Sequence, residues 1–147
     1  MASAKRTFSK RSATSASPPD VPPLFIDRDA WSRRLGNALY EAGIRYIAHA
    51  QGFKAESADI EWIEAASRER WIAITRDQNI RRKPNELAAI RESRVVIFVF
   101  TSGNLSAADT ARILLSALPA VYRHAKGARR PALFSIRKDG SIGRLKL

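Results

Sequence analysis

Apolar residues along the chain fall into short continuous runs, separated by segments with helical spacing. The runs LFI (24–26), IRYIA (44–48), WIAIT (71–75) and RVVIFVF (94–100) are rich in β-branched and aromatic residues, which favours β-strands. The last run is apolar on both faces, as expected for a strand in a parallel sheet that is covered by helices on both sides. The pattern therefore predicts four buried strands.

Helices are predicted between these strands. In DAWSRRLGNALYEAG the apolar residues recur at helical spacing, and Gly43 marks the end of this first helix. Residues 58–69 predict a second helix with Ser57 as its N-cap. A short third helix is expected to begin at Pro84, because proline is favoured in the first turn of a helix.

The C-terminal third of the chain predicts one more helix and a hairpin. Ser106 and Asp109 have the spacing of a capping box at a helix start. The apolar stripe of this fourth helix consists of Ile113, Leu114, Ala117, Leu118 and Val121. Two short apolar runs flank Asp139 and Gly140, a β-hairpin turn signal. The alternation of strands and helices indicates an α/β fold with a mainly parallel central sheet, helices on both faces and a C-terminal β-hairpin.

Composition predicts the domain organisation. Residues 1–20 are rich in Ser, Ala, Lys and Arg, which predicts a flexible basic tail ahead of one folded domain over residues 21–147. The chain has no cysteine, and His49 and His124 lack metal-ligand spacing. No apolar stretch approaches the roughly 20 residues of a membrane span, and the N-terminus lacks the apolar segment of a secretory signal. We therefore expect a cytoplasmic protein with no membrane association.

The charge balance suggests a class of partner. The chain carries 26 Lys and Arg against 14 Asp and Glu, for a formal net charge of +12. The excess is present in both parts of the chain, since residues 21–147 alone hold 22 basic and 13 acidic residues. A positive surface favours a polyanion such as RNA through phosphate contacts and counterion release. An acidic protein partner is the alternative.

Three of the scarce acids are predicted to converge. Asp27 directly follows the first strand, Asp77 follows the apolar run of the third, and Asp59 lies in the first turn of the helix after the second strand. All three therefore belong to the edge of the sheet where open parallel α/β folds bind ligands. Like charges gather at low cost only around a cation. Mg²⁺ or Mn²⁺, which prefer oxygen ligands, could there orient a water for attack on a phosphodiester.

Each acid also has a purely structural interpretation. Asp27 or Asp29 could cap the first helix, Asp59 could be an acid favoured by the helix dipole, and Asp77 could satisfy the backbone of a turn. Glu61 is the alternative to Asp59 as the helix acid. Two residues apart on a helix, they point about 200° away from each other, and Asp59 lies on the apolar side. Asp59 is therefore the preferred candidate.

Other polar and aromatic residues also have both a functional and a structural interpretation. Basic residues around the third acid are candidates for RNA contact, with solvated surface as the alternative. They are Arg76, Arg81, Arg82 and Lys83. The same two interpretations hold for Arg129 and Arg130. Ser102 and Asn104 follow the fourth strand and are expected either to support the site or to shape the turn. The three tryptophans are expected in the core: Trp31, Trp62 and Trp71.

Four short motifs carry a family resemblance. FIDRD at the first strand, DIEWIEAA at the start of the second helix, WIAITRDQNI, and TSGNLS after the fourth strand together resemble a PIN-like domain. More closely, they resemble the VapC-type toxins of bacterial toxin–antitoxin pairs, over residues 23 to about 122. The resemblance implies a metal-dependent endoribonuclease in which Asp27, Asp59 and Asp77 are catalytic and hold Mg²⁺ or Mn²⁺.

The resemblance also implies partners. Toxins of this kind are neutralised by a small antitoxin protein and form homodimers. Rival hypotheses are a non-catalytic nucleic-acid-binding or antitoxin-type interaction module of the same fold, a component that binds an acidic protein, and a DNA nuclease. In the first rival the acids have only structural roles.

Overall fold

Six strands form a single sheet in the computed structural model, which describes residues 21–147. The strands are β1 (Leu24–Ile26), β2 (Tyr46–Ala48), β3 (Ile72–Thr75), β4 (Val96–Phe100), β5 (Ala132–Ile136) and β6 (Ile142–Leu145). Four α-helices accompany them: α1 (Arg33–Glu41), α2 (Asp59–Glu69), α3 (Pro84–Arg91) and α4 (Ala107–Gly127). Two 3₁₀ turns cover His49–Gln51 and Ile80–Arg82. The predicted basic tail, residues 1–20, lies outside the described residues.

The sheet is mainly parallel, as predicted. Its strand order is β2-β1-β3-β4-β5-β6. The first five strands run parallel to their neighbours, and β6 alone pairs antiparallel, against β5. The predicted C-terminal hairpin is therefore confirmed. Its first strand is also a regular member of the parallel sheet, because all five residues of β5 pair with β4.

Helices cover both faces of the sheet and form two separate apolar layers. On one face α1 and α4 pack over residues such as Ile74 and Phe98. On the other face α2 and α3 pack over Phe25, Ala73 and Ile97. Alternate residues of each strand enter alternate layers, which is why the central strands are apolar throughout. The predicted stripe of α4 is buried in the first layer.

The first helix begins and ends at identifiable residues. Ser32 is its N-cap, and its Oγ accepts a hydrogen bond from the backbone N–H of Leu35 at 3.0 Å. Gly43 has φ +74°, which ends the helix as predicted. Trp31 is 37% exposed, so its expected place in the core is wrong. Its ring instead covers Gly36 so closely that a side chain at that position would collide with it.

The starts of α2 and α4 differ from each other. The expected cap at Ser57 is wrong, because the N-cap residue of α2 is Ala58 and no side chain caps the helix. Ser106 caps α4 as predicted, since its Oγ accepts from the N–H of Asp109 at 3.0 Å. The Asp109 carboxylate pairs with Arg112 at 3.1 Å.

In the described part of the chain, no helix combines the length and apolar character needed to cross a membrane.

Candidate active site

The predicted acids lie at the point where the sheet changes direction of growth. The second strand of the chain, β2, lies on one side of β1, and the third strand, β3, lies on the other side. The order of the strands therefore reverses between β1 and β3. In open parallel sheets such a switch point leaves a crevice at the carboxyl ends of the two strands. The backbone N–H of Asp27 donates to the carbonyl of Ile74 at 2.9 Å. The loops that follow β1 and β3 therefore start side by side.

Asp27 is a buried carboxyl group, only 3% exposed. Its Oδ2 accepts from the Thr75 hydroxyl and its Oδ1 from the backbone N–H of Arg28, each at 2.8 Å. Burial, reinforced by the negative charge of Asp29, raises the pKa of Asp27 to about 7, against the opposing effect of these two hydrogen bonds. Asp27 therefore changes its charge close to neutral pH, and a nearby cation would favour the charged form.

Asp29, for which the sequence indicated only a helix-capping role, is a member of the site. Its Oδ1 lies 3.2 Å from the Thr75 hydroxyl and accepts from the backbone N–H of Arg76 at 3.0 Å. The capping interpretation of Asp27 and Asp29 is wrong, because Ser32 caps α1. The signal that could have found Asp29 is its position two residues after Asp27, facing a threonine that ends an apolar strand.

Asp59 and Asp77 share one cation, the ammonium group of Lys83. Lys83 Nζ lies 2.6 Å from Oδ2 of Asp77 and 4.0 Å from Oδ2 of Asp59. The two carboxylate side chains are 16% and 14% exposed. The hydrogen bond to Asp77, with the charges of both acids, raises the pKa of Lys83. Lys83 was predicted to contact RNA, yet here its charge is matched within the protein.

Both acids also have the structural roles considered in the sequence. Asp77 Oδ1 accepts from the backbone N–H of Asn79 at 3.0 Å, which is a turn contact, while its other oxygen binds Lys83. Asp59 is the first residue of α2, and its Oδ1 accepts from Trp62 Nε1 at 3.2 Å. Glu61 is exposed to solvent. Asp59 is thus held on the inner side of the helix.

The four acids Asp27, Asp29, Asp59 and Asp77 form what we call the carboxylate rim. Thr75 links the first pair and Lys83 the second. The two pairs are connected electrostatically, because the charge of Asp59 also raises the pKa of Asp27.

The side chains of the rim do not form a ready metal site. Carboxylate oxygens are the ligands that Mg²⁺ and Mn²⁺ prefer. Within residues 21–147, however, no group of three or more His, Asp and Glu side chains is arranged to hold a metal ion. The ammonium of Lys83 is the cation that Asp77 binds. A divalent ion held by Asp59 and Asp77 would therefore take the place of the Lys83 ammonium.

His49 lies close to the same edge of the sheet, directly after β2. It is 3% exposed, its ring packs against Phe25 and Phe53, and its Nε2 has no hydrogen-bond partner in the described part of the chain. Burial, and then the charge of Arg28, lowers the pKa of His49, while Asp59 opposes the shift. Sequence spacing did not single it out, because its neighbours come from other segments.

The remaining candidates around the rim are partly committed to other contacts. Arg76 Nη1 lies 3.4 Å from the carbonyl of Leu105, and Arg81 Nη1 donates to the carbonyl of Lys146 at 2.9 Å. Arg82 is exposed.

The two polar residues after β4 shape a turn. Asn104 adopts φ +58°, a left-handed conformation that asparagine tolerates. No hydrogen bond within residues 21–147 joins Ser102 or Asn104 to the carboxylate rim.

Comparison with known protein families identifies the domain. A family model described as "PIN like domain" matches residues 22–102, which is more than half of the chain. The chain belongs to the PIN-like domain family. The matched segment runs from β1 to the loop after β4 and contains the carboxylate rim and Lys83. PIN-like domains are commonly nucleases, so the protein has a nuclease-type fold. No curated protein and no solved structure matches the chain.

Proposed function

We propose that this PIN-like protein is an endoribonuclease that hydrolyses RNA phosphodiester bonds at the carboxylate rim and depends on Mg²⁺ or Mn²⁺. The observation that carries the proposal is the gathering of four acids at the β1/β3 switch point of a protein with net charge +12. Carboxylates that are gathered in one place repel one another unless a cation lies between them. Acids with shifted pKa values are also concentrated at functional sites. Membership of a family rich in nucleases supports the same conclusion.

The rim residues have distinct parts in this proposal. Asp27, Asp59 and Asp77 are the candidate ligands of the divalent ion, which when bound supplies a water of lowered pKa and neutralises phosphate charge. Thr75 fixes the direction of the Asp27 carboxylate through its hydroxyl. Lys83 neutralises Asp77 in the structure. With a divalent ion held by Asp77, the Lys83 ammonium would be available to contact an RNA phosphate.

The wider role we propose is that of the toxin in a toxin–antitoxin pair, acting as a homodimer neutralised by a small antitoxin. Its support is the similarity of the motifs around Asp27, Asp59 and Asp77 to VapC-type toxins. Expression in a bacterial host should arrest growth, and the Asp77→Asn variant should not. Light scattering on the purified protein tests the dimer, which should have twice the 16.4 kDa mass of one chain.

A second candidate is a non-catalytic nucleic-acid-binding module of the same fold. The observation that favours it is the ion pair of Lys83 with Asp77, together with the lack of a three-ligand metal group in residues 21–147. In that case the carboxylates and Lys83 hold loops together, and RNA binds without being cut.

Incubation with a panel of nucleic acids separates these functions. Labelled single-stranded RNA, folded RNA and DNA of matched sequence are offered with Mg²⁺, with Mn²⁺ and with EDTA. The nuclease proposal predicts RNA fragments with either ion and intact RNA with EDTA. Binding that EDTA does not change, without fragments under any condition, would establish the non-catalytic module. Fragments from DNA would show that the substrate class is broader than RNA.

A further inference from the structure

Six basic side chains line a concavity of about 740 Å³ at the edge of the sheet opposite the carboxylate rim. They are Arg68, Arg70, Arg94, Lys126, Arg129 and Arg130. Arg70, Arg94 and Arg130 each lie two residues before a strand: β3, β4 and β5 respectively. These strands are parallel, so their amino ends meet at one edge and bring the three residues together. We call the six side chains the basic edge.

Some members of the basic edge have ordinary structural roles. Arg68 and Lys126 lie in the last turns of α2 and α4, where a positive charge is favourable. Arg130 Nη2 donates to the carbonyl of Ala125 at 3.0 Å. Arg68 also lies 3.5 Å from Glu69, and both side chains are more than half exposed. Such exposed pairs are worth little. Positions or hydrogen bonds at helix C-termini thus account for these three cations.

The other three cations have no partner of this kind, although Arg70 is the C-cap residue of α2, where the helix dipole also favours a positive charge. Arg70, Arg94 and Arg129 are exposed, and their side chains form no hydrogen bond or ion pair with any residue of the described range 21–147. Burial and then the positive charges of Arg70 and Arg94 lower the pKa of Arg130. The fold therefore brings together like charges without carboxylates to match them, since no acid of residues 21–147 lines the concavity. Such an arrangement is stabilised by a bound anion.

The lining residues indicate which anion. Guanidinium groups offer planar pairs of donors that match phosphate oxygens. In the part of the chain that the structure describes, no aromatic residue lines the concavity, so these residues offer no platform on which bases could stack. Its apolar lining is limited to Pro22 and Ala128, which is too little for the buried anchors of a protein interface. The chemistry selects a chain of phosphates, contacted without regard to base sequence.

We propose that the basic edge binds the sugar–phosphate backbone of RNA at a site separate from the carboxylate rim. β4 has five residues, so the two edges are at least roughly 17 Å apart at ~3.3 Å per residue. An RNA must be long or folded to reach both, and a dinucleotide reaches only one. The identity of the polyanion as RNA rests on the proposed function, whereas the binding site rests on the basic edge alone.

Binding measurements with a matched pair of variants test this proposal. The full chain in EDTA, where no cleavage is expected, is titrated against a fluorescent 20-nucleotide single-stranded RNA at several salt concentrations. The test variant is Arg70→Gly/Arg94→Ala; glycine is chosen at 70 because φ there is +62°. The control is Arg137→Ala/Lys138→Ala, which removes two exposed charges from the β5–β6 turn at the opposite edge. Thermal melting verifies that both variants are folded.

The expected result is a loss of affinity confined to the test variant. Its affinity should fall about tenfold or more at low salt, and the slope of log K against log salt should decrease by about 1.4, or 0.7 for each lost phosphate contact. The control should stay within about twofold of the parent protein. Equal weakening of both variants, or an unchanged test variant, overturns the proposal. So does polyglutamate binding that equals RNA binding and is lost in the same variant, because the edge would then serve an acidic protein.

Failure of this inference can be told from failure of the proposed function. If the protein cuts no RNA, but the Arg70→Gly/Arg94→Ala variant alone loses RNA binding, the basic edge is supported and the nuclease proposal is wrong. If the protein cuts RNA with Mn²⁺, but the test variant binds RNA like the control, the nuclease is supported and the proposed role of the basic edge is wrong. A labelled dinucleotide adds a further check, since its cleavage should be the same in both variants.

Discussion

The ammonium nitrogen of Lys83 lies 2.6 Å from Oδ2 of Asp77, so this PIN-like domain supplies its own counter-ion to an acid of the carboxylate rim. Oδ2 of Asp59 lies 4.0 Å from the same ammonium nitrogen. The lysine stabilises the gathered acids when no divalent ion is bound. If the rim holds a divalent ion as proposed, ion binding and this ion pair would be alternatives, and the competition between them can be measured.

Replacing Lys83 with methionine should tighten binding of Mn²⁺. The substitution removes the competing ammonium and keeps the length of the side chain. We expect at least a tenfold lower dissociation constant, which corresponds to about 1.4 kcal/mol of extra stabilisation at saturating Mn²⁺. Thermal melting with and without Mn²⁺ measures it, and in EDTA the variant should melt below the parent because Asp77 has lost its partner. Lys138→Met, in an exposed turn, is the control. An identical Mn²⁺ response in Lys83→Met and parent would contradict the competition.

The raised pKa of Asp27 predicts a pH-dependent stability. Its pKa rises from 3.8 to about 7 on folding, so ionisation of Asp27 opposes folding. The resulting loss of unfolding free energy is absent below about pH 4 and grows as the pH rises toward 7. Above pH 7 it levels off at about 4 kcal/mol. Relative to Asp27→Asn, the parent protein in EDTA should lose this amount of unfolding free energy between pH 4 and 8. Urea unfolding at each pH measures the difference. A difference that does not change with pH would show that Asp27 titrates normally.

Thr75 should matter more when Asp27 is charged. Its buried hydroxyl contacts both Asp27 and Asp29, and Thr75→Val keeps the shape while removing these contacts. We expect a loss of about 1–3 kcal/mol in unfolding free energy at pH 8 and a smaller loss at pH 5. Thr110→Val is the matched control, because Thr110 is equally buried and donates to a helix carbonyl instead. Equal pH profiles for the two variants would place Thr75 outside the electrostatics of the rim.

Two acids on α2 provide an internal comparison. Asp59 faces inward beside Trp62, and Glu61, two residues further along the helix, is exposed. Asp59→Asn should reduce RNA cleavage by at least about 100-fold, and Glu61→Gln should leave it within about twofold, if Asp59 belongs to the site. Gel assays on the two variants at equal concentration give the ratio. The reverse order of activities would assign the helix acid to Glu61.

The fold was largely predictable because its strands are buried on both faces. β4 contributes alternate residues to the two apolar layers, and its uninterrupted apolar run predicted this position in the sheet. Local details failed where they depend on packing. Trp31 is partly exposed because it covers Gly36, and the spacing of α1 alone does not reveal that. Ser57 has the right chemistry for a cap, but the helix starts one residue too late for it.

The site was predictable in its location and incomplete in its contacts. Strand ends placed Asp27 and Asp77 on one edge of the sheet, because parallel strands share that edge. The pairing of Lys83 with Asp77 was missed, since a 3₁₀ turn brings the lysine back toward the acid. Of the basic edge, the sequence indicated only Arg129 and Arg130 as alternatives for RNA contact. Arg70 and Arg94 are unremarkable in sequence, and only the sheet brings them close to that pair.

Divalent-ion-dependent cleavage of RNA at the carboxylate rim is tested most directly by one assay on three proteins. The parent, Asp77→Asn and the exposed-turn control Asp139→Asn are incubated with labelled RNA in Mn²⁺ and in EDTA. Asparagine at 77 can keep the turn contact to Asn79 while removing the charge. We predict cleavage by the parent and the control in Mn²⁺, none in EDTA, and at least about 100-fold less by Asp77→Asn. Undiminished cleavage by Asp77→Asn, or by the parent in EDTA, would contradict the account.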